Sequence, residues 1–91
     1  MRTLREVNRR LIDAIEEPPD TGEEPRLDRL AATLWDRERN GDTLDPGSLC
    51  RLRHALRDIA ETTHEDRARH LERARDLLAE YAAERPNDRH T

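Results

Sequence analysis

Beyond Met1, this chain carries eighteen large aliphatic or aromatic residues, and seventeen of them fall at helical spacing within four segments. Leu44, the eighteenth, sits in a turn. Proline, glycine and short polar stretches separate the segments, and strand-like alternation is absent throughout. The expected class is therefore all-α: a helical bundle of four helices with a C-terminal antiparallel helical hairpin. Residues 1–85 form a single helical domain in this reading, and residues 86–91 a disordered tail.

The first helix is expected over residues 3–17, with Leu4, Val7, Leu11, Ala14 and Ile15 on one face. Thr3 is placed to cap it, with Glu6 as its capping-box partner. Pro18-Pro19 stops it, because neither ring nitrogen can donate a helical hydrogen bond. Residues 18–25, PPDTGEEP, read as a flexible polar linker. The second helix spans 25–39, with Pro25 in its first turn and Leu27, Leu30, Ala31 and Leu34 as its buried stripe. Asn40-Gly41 ends it, glycine being suited to the left-handed position past a helix.

The third helix, 46–61, has the strongest start signal. Asp45 is an N-cap, Pro46 takes the first helical position, and Leu44 and Leu49 are spaced as a hydrophobic staple. The fourth helix, 64–84, is preceded by Thr63, which stands at capping-box spacing from Asp66. The two or three residues between these helices force an antiparallel hairpin. Pairing then puts Leu56 and Ile59 near Leu71 and Ala74, and Leu49 and Leu52 near Leu78 and Tyr81. This hairpin is expected to be the most stable part of the fold.

Charged residues make up 42% of the chain and hydrophobic ones 33%, which approaches the disordered class; helical patterning pulls it back. A chain of 91 residues buries only about 60–65% of its unfolded surface, so the core is thin and a partner subunit would help it. All 17 basic residues are arginine, with no lysine, which points to GC-rich coding. The net charge is −4, and acids alternate with arginines along every helix, which disfavours nucleic acid as a partner. Cys50 is alone and suits a reducing, cytoplasmic setting. No apolar run approaches the roughly 18 residues of a membrane span.

No motif carries chemistry strongly. Cys50 and His54, at i and i+4, share a helix face that points away from the leucine stripe. Zinc normally takes three or four protein ligands, and Glu61 lies two turns away, so no metal is expected. No cofactor and no catalytic residue are expected either. Arg67 and Arg85 fall on the seam of Leu71 and Leu78 near helix ends, where snorkelling to solvent is expected. His70 reads as a hydrogen-bonded boundary residue beside Leu77. Trp35, Ile12 and Ile15 flank the apolar stripes of their helices and are the candidate interface residues.

Arg57 and His64 resemble the Arg-x(4–6)-His motif of HEPN-type ribonucleases. These are all-α dimers that place an arginine and a histidine across a dimer cleft. The resemblance implies an acid–base histidine and a charge-stabilising arginine. The plainer reading pairs Arg57 with Glu61 and lets His64 open a helix.

Residues 49–84, LCRLRHALRDIAETTHEDRARHLERARDLLAEYAAE, resemble the C-terminal part of a group of small haloarchaeal proteins without assigned function. That group ends in a helix reading roughly A-x-x-H-[IL]-x-x-A-x-x-x-[IL]-x-x-Y. His70, Leu71, Ala74, Leu78 and Tyr81 match it, with Arg67 where alanine is usual. The resemblance implies a haloarchaeal source and a helical fold, and it brings no active site. The expected function is a non-enzymatic small helical protein mediating protein–protein interaction or self-association. The alternative is a HEPN-like ribonuclease or toxin–antitoxin component using Arg57 and His64. The expected partner is a second copy or another protein.

Overall fold

Each apolar stripe becomes the inner face of a helix. A computed structural model describes residues 2–41 and 44–84, and the side chains of 4–41 and 44–83. The helices are α1 (Arg2–Glu16), α2 (Glu24–Arg39), α3 (Pro46–Thr62) and α4 (Glu65–Glu84). α1 begins at Arg2, so Thr3 lies inside its first turn and not ahead of it. Arg85 and the tail expected at 86–91 lie outside the described residues.

The start of α3 follows the sequence signals. Asp45 is extended and its carboxylate accepts the Ser48 N–H at 3.1 Å. Pro46 follows, and the staple residues Leu44 and Leu49 are both buried. At the end of α2, Asn40 closes the helix and Gly41 takes φ +76°, a conformation that costs a side-chain-bearing residue energy. α2 itself starts one residue early, at Glu24, with Pro25 still in the first turn.

The helices run alternately up and down. Arg5 near the start of α1 meets Glu38 near the end of α2, at 2.8 Å. Arg67 near the start of α4 reaches Ala14 near the end of α1, at 2.7 Å. α1 packs against both α2 and α4, and α4 packs against α3. The core gathers Leu4, Val7 and Leu11 of α1 with Leu27 and Leu34 of α2, Leu56 and Ile59 of α3, and Leu71, Leu78 and Tyr81 of α4. The α1–α4 contact is more extensive than the α3–α4 contact, so α4 packs on α1 as well as on its hairpin partner. α4 serves two neighbours because its buried face is wide: Leu77 and Leu78 are both inside.

The α2–α3 seam is the open one. A cleft of about 370 Å³ separates these helices, lined by Leu30, Leu34, Leu44 and Leu52 with Arg37 and Arg51. At its end the Leu44 N–H donates to the Tyr81 hydroxyl at 3.1 Å, which ties the α2–α3 connection to α4.

Candidate functional site

Among the described residues, the most heavily hydrogen-bonded side chain is Arg67, and it does not snorkel. Its exposure is 0%. Nε donates to the Ala14 carbonyl at 2.7 Å. Nη1 donates to Thr21 Oγ1 at 2.7 Å and to Glu23 Oε1 at 2.9 Å. Nη2 donates to the Glu17 carbonyl at 2.8 Å, reaches the Pro19 carbonyl at 3.4 Å, and lies 2.8 Å from Glu24 Oε2. A buried guanidinium is tolerated only when its charge and its donors are met, and here all five donors find acceptors.

The linker is therefore a wrapped collar and not a flexible tether. Residues 17–24 turn around Arg67, with a cis Pro18–Pro19 bond and Gly22 at φ +101°. Glu24 folds back on the same collar, accepting the Thr21 N–H at 2.9 Å and the Gly22 N–H at 3.0 Å. Those backbone donors, with the Arg67 charge, lower its carboxyl to about 2. Glu23 accepts from Thr21 Oγ1 and, at 3.0 Å, from Thr63 Oγ1; these bonds and Arg67 hold its carboxyl below the usual range. His70 Nε2 lies 3.1 Å from Glu17 Oε1, at the boundary expected of it. The collar ties the end of α1 and the starts of α2 and α4 to one buried charge.

Arg57 and His64 each have a local partner. Arg57 Nε meets Glu61 at 3.3 Å. His64 Nδ1 accepts the Arg67 N–H at 3.3 Å, so His64, and not Thr63, caps α4. The capping signal was misassigned by one position because His64 fills the role more often held by Ser, Thr, Asp or Asn.

Of the expected interface residues, Ile12 is 44% exposed and Trp35 50%. Ile15 is partly buried and packs against the core, so it supports the fold more than any outer surface. Helical projection places Ile12 and Trp35 on the outer side of the α1–α2 pair, the side on which Arg5 meets Glu38.

Cys50 and His54 are exposed on one face of α3, as expected. Among the described residues, no group of three His, Cys, Asp or Glu side chains could hold a metal ion. What the sequence did not show is that this face meets α4. A cavity of about 230 Å³ between them is lined by Arg53, His54, Arg57 and Arg75, with Cys50 and Leu49. The separation of Arg75 from the α3 arginines along the chain hid that convergence. Among the described residues, no helix is long and apolar enough to cross a membrane.

No curated protein and no solved structure matches the chain. A family model does match, over residues 1–84, and so takes in the N-terminal half as well as the stretch 49–84. With the whole described bundle inside that match, the chain belongs to DUF7553, a family of unknown function.

Proposed function

We propose that this protein is a non-enzymatic helical module that self-associates through the outer face of α1 and α2. The observation that carries the reading is the pair Ile12 and Trp35, the large hydrophobic residues left exposed among the described residues. From the Arg5–Glu38 level, Ile12 lies roughly 10 Å along α1 and Trp35 roughly 5 Å along α2, in the same direction. The two side chains thus share one patch. Tryptophan is a common anchor of interfaces.

The surrounding charges favour a second copy as the occupant. Arg9 and Glu16 are exposed on either side of Ile12, three and four residues away. Two copies of α1 packed antiparallel about Ile12 set Arg9 of each opposite Glu16 of the other, the self-complementarity a two-fold interface requires. The lysine-free composition and the C-terminal resemblance support a haloarchaeal source, and the lone exposed Cys50 supports a reducing cytoplasm.

The ribonuclease reading draws no support from the geometry, since Arg57 is bonded to Glu61 and His64 to the α4 backbone. Sedimentation equilibrium at micromolar concentration tests the proposal. A mass near twice 10.7 kDa is expected, falling toward 10.7 kDa for Trp35→Ala and Ile12→Arg. A wild-type mass near 10.7 kDa at both low and high salt would sink it.

A further inference from the structure

We propose that the α3–α4 face carries an oxyanion site that takes a phosphate-class ligand. Arg53 and Arg57, one turn apart on α3, and Arg75 of α4 line one cavity of about 230 Å³ together with His54. Among the described residues, no acidic side chain lines it. Three guanidinium groups and an imidazole have been brought together in a protein whose net charge is −4. Like charges at this spacing oppose folding unless something offsets them.

The arginines are poorly compensated where they stand. Nε of Arg53 and Nε of Arg75 are both buried without an acceptor among the described residues. Each such donor has given up water without gaining an acceptor, which opposes folding. Arg75 reaches Glu72 only at 3.9 Å, and Glu72 is 60% exposed; Arg57 and Glu61 are 57% and 62% exposed. Exposed pairs of this kind contribute little and yield easily to a better acceptor. Arg67, buried in the same bundle, has every donor matched, so unmatched arginines are not a general property of this chain.

The chemistry of the cavity selects the ligand. Arginine forks suit the paired oxygens of a phosphate, and forks from two helices can meet more than one edge of the group. Leu49 and Pro46 form an apolar side against which an organic substituent would rest. The ligand is therefore inorganic phosphate or a small phosphate monoester. This face lies across the bundle from the Ile12–Trp35 patch, so occupancy does not depend on self-association.

Titration calorimetry with inorganic phosphate and with phenyl phosphate, at constant ionic strength against chloride, tests the site and separates the two sources. Saturable binding of one phosphate per chain is expected, tighter for phenyl phosphate if the apolar side is used and equal if free phosphate is the ligand. Arg53→Gln and Arg75→Gln should each weaken it at least about tenfold, as loss of a charge-assisted hydrogen bond does. Arg57→Gln, at an exposed position, serves should either of those variants unfold. Arg69→Gln, outside the cavity, should change nothing. Cys50 lines the cavity and supplies a second readout: a neutral alkylating reagent should modify it more slowly when phosphate is bound. The proposal is overturned if millimolar phosphate gives neither heat nor protection, if chloride does as well, or if binding is the same in the arginine variants.

Discussion

Arg67 Nη2 and Glu24 Oε2 lie 2.8 Å apart, joining the first turn of α4 to the first turn of α2 across 43 residues of chain. The pair explains how residues 17–24, two prolines, a glycine and five polar residues, acquire a defined path. The guanidinium offers five donors in a plane, and the chain bends until carbonyls and carboxylates meet them. α1 ends, α2 begins and α4 begins at one buried charge.

Removing that charge should therefore destabilise the whole bundle. Arg67→Met would strand the Glu17 carbonyl, leave the Ala14 carbonyl with only the Glu17 N–H at 3.3 Å, and leave Glu23 and Glu24 without their cation. Breaking a buried pair from one side costs about 3–5 kcal/mol. Arg67→Lys should lose nearly as much, because an ammonium cannot reproduce the fork. Urea denaturation measures both, and a loss under about 1 kcal/mol would show that the collar holds itself without Arg67.

The same collar sets an acid limit. Glu24 has its carboxyl lowered from 4.5 to about 2, first by the Thr21 backbone N–H, and Glu23 is lowered as well, first by the Thr21 hydroxyl. A depressed folded-state value means that the stabilisation is fully present above pH 4.5 and is lost as pH falls toward 2. The urea midpoint should drop across that window. Glu24→Gln should be less stable near pH 7 and should show a shallower decline on acidification. An unchanged slope in that variant would place the acid sensitivity elsewhere.

Local signals were legible in the sequence where one helix end contains its own explanation. Asp45, Pro46, Leu44 and Leu49 mark the start of α3 within six residues, and Asn40-Gly41 marks the end of α2. The leucine stripes gave the core for the same reason. Arg67 was misread because its partners lie 43 to 53 residues away, and nothing local distinguishes an arginine that snorkels from one that is wrapped. Its position on the seam with Leu71 and Leu78, and the acidic pair Glu23-Glu24 in the linker, were the available clues. The convergence of Arg53, Arg57 and Arg75 depends on the helix register across α3–α4, which composition and spacing leave open. The exposure of Ile12 and Trp35 was legible because they stand outside a stripe already filled.

Tyr81 ties the opposite pole. Its ring is buried, and its hydroxyl accepts the Leu44 N–H at 3.1 Å. Tyr81→Phe keeps the ring and removes the oxygen. The expected loss is about 0.5–1.5 kcal/mol, the net value of one such hydrogen bond. Faster amide exchange at Leu44 in the variant would locate the loss at the α2–α3 connection. No change in stability or exchange would mean that packing alone positions this turn.

His64 offers the sharpest separation of a capping role from a chemical one. Nδ1 accepts the Arg67 N–H at 3.3 Å, so the neutral ring carries its proton on Nε2, by assignment from the bonding. That Nε2 is buried without an acceptor among the described residues. The ring thus gains one hydrogen bond and strands one donor. Asparagine supplies the same acceptor at a helix start without an imidazole N–H to bury. His64→Asn should match or exceed the wild type in urea denaturation, whereas His64→Leu should lose about 1 kcal/mol as the cap disappears. If asparagine were as damaging as leucine, the ring would be held by its packing and not by the cap. If His64→Asn abolished an RNA-cleaving activity in the purified protein while leaving stability intact, the non-enzymatic reading would fall, and Arg57 would be the next residue to change.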